Sequence, residues 1–208
     1  MRCRGAEWLP EGPEWRYELK LDGFRAIGRK SGRSAQLWSR NQKDFVRRFL
    51  GVVKAIRELP DDTVIDGEIV ALDERGNHSF NLLQGIGEPA AAVMYAFDLL
   101  MLRGKDMRLW PLEERRQQLH EITRHLLDNI GFSETFTVPL SELVSAVRQH
   151  QLEGIVAKRV GSPYRSVGRS TDWLKWRANR GQELRSVVTF QAGRASNRYW
   201  SDTIPATN

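Results

Sequence analysis

Apolar and polar residues alternate with a period of two through many short runs of this chain. Tyr17, Leu19 and Leu21 alternate with Glu18, Lys20 and Asp22, which predicts a strand over Trp15–Leu21. The same reasoning predicts strands over Phe24–Arg29, Ala35–Trp38, Thr63–Leu72, Ala91–Leu100, Thr135–Val138, Gly154–Lys158 and Trp173–Trp176. Helical spacing fits Phe45–Glu58, Leu112–Leu127 and Leu140–Gln149, the last with Ser141 as its expected N-cap. Strands outnumber helices, and the helices fall between groups of strands. That order predicts an α+β fold of mainly antiparallel sheets flanked by helices. Glu183–Phe190 reads as one more strand, and Gln191–Asn208 as a polar tail or the stub of another domain.

Composition adds boundaries. The 208 residues suffice for one large domain or two small ones. No apolar run approaches the roughly 20 residues needed to span a bilayer, and Met1–Pro13 lacks the apolar core of an export signal. A cytoplasmic protein without a membrane partner is therefore expected. Cys3 is the single cysteine, which excludes an internal disulfide and a multi-cysteine zinc site. The net charge of +6, mostly from arginine, favours a polyanionic partner such as nucleic acid. An arginine-rich composition also arises from a GC-rich genome, so charge alone leaves the partner open.

Candidate chemistry changes the picture further. Lys20 sits at the end of a predicted strand, on the face of Glu18 and Asp22. A lysine amine is a nucleophile toward phosphorus or carbonyl carbon once deprotonated. Asp22-Gly23 equally reads as a hairpin turn carrying a surface Lys–Glu pair. Asp66 and Glu68 share a face of the Thr63–Leu72 run, Glu153 and Lys158 bracket a buried-looking strand, and Trp173–Arg177 interleaves aromatic with basic residues. Phe97, amid an apolar strand, is on its own a core residue.

Taken in order, these segments resemble the covalent nucleotidyltransferase superfamily of ATP-dependent DNA ligases, RNA ligases and mRNA capping enzymes. Lys20, Asp22, Gly23 and Arg25 match its first motif, and Ser39-Arg40-Asn41 the short motif after it. Asp66-Gly67-Glu68, Tyr95-Ala96-Phe97-Asp98, Glu153–Lys158, and the pair Lys175 and Arg177 match the later ones. The resemblance covers about residues 13–190 and looks closest to the ligase domain of bacterial ligase D. It implies an ATP-grasp-like core forming an adenylation domain over residues 1–182, with residues 183–208 a tail or the stub of an OB-fold domain. Roughly 18 residues follow Phe190, too few for a five-stranded OB barrel. Self-adenylylation is accordingly expected to be slow, and nick sealing to be absent from this chain alone.

The resemblance also implies roles. Lys20 would attack the α-phosphate of ATP and carry AMP as a phosphoramidate, for transfer to the 5′-phosphate of nicked double-stranded DNA in repair. At pH 7 only about one free lysine in 2,500 is neutral, so the site must favour the amine or position it well. Glu18 would meet the adenine edge, Phe97 would stack on the base, and Arg25 and Glu68 would hold the ribose. Glu68 and Glu153 would bind Mg²⁺ or Mn²⁺, which take oxygen ligands. Lys158 and Lys175 would contact the α-phosphate. Arg177 stands where the family usually has a second lysine, which keeps the charge and changes the donor geometry. Arg40 would meet the 5′-phosphate of the nick, and DNA end-joining proteins are the expected partners. An RNA ligase, a capping-type nucleotidyltransferase and a decayed nucleotide- or DNA-binding domain are the alternatives.

Overall fold

A computed structural model describes residues 1–72, 80–84, 92–126 and 129–178. The strands are β1 (Arg2–Gly5), β2 (Trp15–Leu19), β3 (Phe24–Ser31), β4 (Ser34–Ser39), β5 (Thr63–Ala71), β6 (Ala92–Leu102), β7 (Lys105–Asp106), β8 (Ile130–Phe132), β9 (Gly154–Arg159) and β10 (Arg169–Arg177). The helices are α1 (Leu50–Arg57), α2 (Phe80–Gln84), α3 (Leu112–Thr123) and α4 (Leu140–Gln149). One sheet runs β1-β10-β9-β2, and a second runs β4-β3-β5-β6-β7 with β8 beside β6. Pairing is antiparallel apart from β1 on β10 and β8 on β6. The expected α+β class holds.

Alternation along the strands explains the layering. Trp15 and Tyr17 of β2, and Ile155 and Ala157 of β9, bury against Leu140, Leu143 and Val147 of α4. On the second sheet Ala26, Ile65, Ile69 and Met94 pack with Val52, Val53 and Ile56 of α1. Each sheet therefore has one face closed by its own helix, and the intervening residues are left for the opposite face.

The hairpin reading of Asp22-Gly23 is overturned. β2 belongs to the four-stranded sheet and β3 to the six-stranded one, so the motif is a crossover between sheets. Gly23 is required there, because a Cβ would come 2.2 Å from the Ile69 carbonyl oxygen.

α3 ties the sheets together in a way its composition hides. Leu112, Arg115, Arg116, Leu119 and Thr123 form its buried stripe, with arginines at two core positions. Arg115 is fully buried and grips Asp98 of β6 through Nε–Oδ1 at 2.7 Å and Nη2–Oδ2 at 2.9 Å. Its Nη1 donates to the carbonyls of Trp110 and Ser162, so the buried fork is satisfied. Arg116 reaches the other sheet, pairing with Glu18 of β2 at 2.6 Å.

Several element boundaries differ from expectation. α1 starts at Leu50 rather than Phe45, because the Phe45 amide is bonded to the Leu37 carbonyl of β4 at 2.9 Å. α4 begins at Leu140 with Pro139 in the cap position, so Ser141 lies inside the helix and is not its N-cap. Thr135–Val138 makes only an isolated bridge, Tyr17 to Phe136, while β8 and β1 arise where no strand was expected. Ala91, Leu127, Glu183–Phe190 and the proposed tail lie outside the described residues.

Candidate active site

A cleft of about 540 Å³ opens between the two sheets. The first sheet presents residues in cross-strand rows. Glu18, Val156 and Lys175 are register partners across β2, β9 and β10. The next row places Lys20 beside Gly154, whose carbonyl accepts the Lys20 amide at 2.9 Å, and Gly154 pairs with Arg177. From the second sheet come Arg25 of β3, Glu68 of β5 and Phe97 of β6. Arg40 and Asn41, just after β4, sit at the same opening. The structure thus gathers Glu18, Lys20, Arg25, Arg40, Glu68, Phe97, Lys158, Lys175 and Arg177 around one space, although β2 and β10 lie more than 140 residues apart.

Glu153 completes the group from just before β9. Its Oε2 is ion-paired with the Lys20 amine, and its Oε1 lies 3.5 Å from Arg177 Nε. The Lys20 amine is thereby fixed at the base of the cleft, with about a sixth of its side chain still exposed. Burial, with Arg177 and Lys20 nearby, pushes the Lys175 ammonium below its usual value. The Glu68 carboxyl is pushed up to about 8, chiefly by burial. Lys20 and Arg25 oppose that rise, and Asp66 and Glu153 add to it.

The deeper end of the cleft is a buried polar cluster. Glu18 Oε1 accepts from Arg116 Nη1 at 2.6 Å and Lys158 Nζ at 2.7 Å, and Oε2 from the Ser133 hydroxyl at 2.9 Å. Lys158 is caged rather than open: its ammonium lies 4.4 Å from the Phe97 ring centre and 4.3 Å from that of Trp173. Burial is the main reason its pKa falls below the ordinary lysine range. Phe97 and Trp173 meet edge to face at 6.0 Å between centroids.

Arg25 is held from behind. Asp66 grips it through Nε–Oδ1 at 3.0 Å and Nη2–Oδ2 at 2.5 Å, and the Tyr164 hydroxyl donates to the same carboxylate at 2.7 Å. Sequence reasoning found both Asp66 and Arg25 as motif members but not that they pair. It missed Arg116, Ser133 and Tyr164, and gave Trp173 no part in the cleft. The arginine doublet on the buried stripe of α3 was the available signal, since an arginine at a core position needs an acid. Among the described residues, no group of three or more His, Cys, Asp or Glu side chains forms a self-sufficient metal site. No helix among them is long and apolar enough to cross a membrane.

Comparison with known proteins adds three findings. The profile of the ATP dependent DNA ligase domain matches residues 6–177. The multifunctional non-homologous end joining protein LigD of Pseudomonas aeruginosa is 36% identical over 198 residues, which is 93% of this chain and 23% of that protein. DNA ligase C of Mycobacterium tuberculosis is 32% identical over 92% of this chain and 56% of its own length. The chain therefore spans about a quarter of the LigD relative and about half of DNA ligase C. Among solved structures, the ligase domain of M. tuberculosis LigD superposes with a TM-score of 0.73 at 26% identity, over 85% of this chain and 60% of that one. A mycobacterial DNA ligase D complexed with ATP gives 0.66 at 27% identity, over 77% and 53%. By profile, by relatives and by fold, the chain belongs to the ATP-dependent DNA ligase domain family.

Proposed function

We propose that this chain is the adenylation domain of an ATP-dependent DNA ligase, with its boundary near residue 182 and Lys20 as the residue that carries AMP. One observation supports this most: the Lys20 amine is held by Glu153 in a cleft that also holds Glu68, Lys175 and Arg177. That ATP binds a similar mycobacterial ligase also supports it. Adenine would lie between Phe97 and Val156 with its edge at Glu18, the ribose at Arg25 and Glu68, and the phosphates along Lys175 and Arg177. Lys158, caged beside Glu18, would reach the α-phosphate only by leaving that cage.

The Lys20 nitrogen attacks the α-phosphorus. One proton passes from the amine to the Glu153 carboxylate to free the attacking lone pair. The N–P bond forms as the bond from phosphorus to the pyrophosphate oxygen breaks, pyrophosphate leaves, and the second nitrogen proton passes to water. Lys175 and Arg177 offset the charge that gathers on the phosphate oxygens. Glu68 and Glu153, with phosphate oxygens and waters, form a donor set that suits Mg²⁺ or Mn²⁺. A cation there would favour the ionised Glu68 carboxylate against the burial that raises its pKa. When bound, it would draw negative charge from the phosphate. In the second step the 5′-phosphate of nicked duplex DNA, held by Arg40, attacks the AMP phosphorus and releases Lys20. The end-joining relatives favour a role in DNA repair beside end-joining proteins in the cytoplasm. An OB-fold domain that closes over the nucleotide would speed the first step.

The test is direct. Incubation with ATP labelled at the α-phosphate and Mg²⁺ is expected to leave label on the wild-type chain and none on Lys20→Ala. Label retained by Lys20→Ala would refute the assignment.

A further inference from the structure

Glu18 is 3% exposed yet lines the cleft, and its hydrogen-bond inventory is nearly full. An ionised carboxylate offers about four acceptor positions. Arg116 and Lys158 occupy both on Oε1, and the Ser133 hydroxyl takes one on Oε2. One acceptor position on Oε2 remains. Ser133 lines the same cleft, and its hydroxyl oxygen, donating to Glu18, keeps lone pairs of its own. Arg116 Nη2 also donates to the Ser133 carbonyl at 2.6 Å, so one guanidinium fixes both members of the pair. The ring of Phe132, next to Ser133, lies 4.6 Å from the Arg116 guanidinium and limits its movement. Neither Arg116 nor Ser133 belongs to the phosphate end, and Arg116 does not line the cleft.

We propose that Arg116 and Ser133 are positioning residues for base selection: they aim the last free acceptor of Glu18 at the 6-amino group of adenine. The inference rests on the adenylation reading and deepens it. A purine without that amino group leaves the acceptor unfilled, and guanine presents an oxygen to it. A buried polar group left unpaired discriminates far better than shape does. Loss of Arg116 frees the carboxylate to turn toward Lys158 alone. Loss of the Ser133 hydroxyl frees Oε2 to rotate away from the base.

The experiment compares ATP with purine riboside triphosphate, which lacks only the 6-amino group, and with GTP. Rates of adduct formation are measured on the full 208-residue chain, split into kcat and KM. Wild type is expected to prefer ATP over the 6-deamino analogue by at least roughly tenfold. Ser133→Ala and Arg116→Lys are expected to cut that preference about tenfold or to parity, mostly through KM for ATP. A merely structural role lowers the efficiency with both nucleotides alike and leaves their ratio unchanged, and that result overturns the proposal. Ser133→Ala removes one oxygen, so it keeps the test alive where an Arg116 variant fails to fold. Absence of any wild-type adduct overturns the adenylation reading instead. The base-selection ratio is then read from calorimetric binding of ATP against the analogue, and equal affinities in wild type overturn the inference.

Discussion

Glu68 shows how one side chain sets a pH window. Its folded pKa of about 8 stands above the ordinary 4.5, with burial as the first cause. The native chain therefore holds a proton that the unfolded chain releases near 4.5. The sign follows: this contribution to stability is fully present below about 4.5 and is lost as pH rises through about 8. Work that needs ionised Glu68 runs the other way and improves as pH rises to about 8. On kcat/KM, which reports the free enzyme before a cation binds, the log-rate profile of adduct formation is expected to lose about one unit of slope near pH 8 in wild type. Glu68→Gln should show no such break, and a break that persists in the variant rules Glu68 out as its source. At this scale the charged site residues were legible, because Lys20, Arg25, Glu68 and Glu153 stand in compact motifs of fixed spacing. Their supports were not. Arg116 and Ser133 lie 98 and 115 residues from Glu18, and no local pattern links groups that only tertiary packing brings together.

Among the elements, the close approach of β9 to β10 carries most of the site's geometry. Gly154 accepts the Lys20 amide and faces Arg177, with φ of +155°. A Cβ at 154 would come 2.0 Å from the Trp176 carbonyl oxygen, so any side chain there drives the two strands apart. Gly154→Ala is expected to destabilise the fold by about 2 kcal/mol through overpacking, visible as a drop of several degrees in melting temperature. Adduct formation should fall further than stability does, because Lys20 takes its backbone position from that carbonyl. An unchanged melting point together with an unchanged rate would show that the strands have slack. The strands β5, β6 and β9 were readable within two residues, since each runs six residues or more and packs a row of alternate residues into the core. The shorter β1, β7 and β8 were not, because strands of two to four residues complete no hydrophobic pattern and exist by pairing to a neighbour. α4 was read to its exact bounds from a clean apolar stripe, whereas the buried face of α3 is part arginine.

The two sheets are joined by a short crossover from β2 to β3 and by a longer return from β8 through α4 to β9, and the short one explains both the cleft and what the sequence concealed. A strand, Asp-Gly and a second strand look identical in a hairpin and in a crossover, so sheet membership followed only from the full pairing. Charge at this scale is distributed to suit a polyanion. Arg2, Arg40 and Arg169 are exposed at the cleft with no ion pair among the described residues, beside Lys175 and Arg177. A nick carries a phosphate that an intact strand shares between two nucleotides, and Arg40 follows a strand of the sheet opposite that of Lys20. Each phosphate neutralised releases counterions, so affinity for DNA falls with salt in proportion to the contacts made. Arg40→Ala is expected to reduce the slope of log affinity against log salt by about 1 on a duplex with a 5′-phosphate nick. On the same duplex with a 5′-hydroxyl nick, wild type and variant should share one slope, because the contacted charge is gone. Fluorescence anisotropy from about 50 to 200 mM salt separates the cases. Equal slopes for wild type and Arg40→Ala on the phosphorylated nick would remove Arg40 from the nick and leave the excess charge to general attraction.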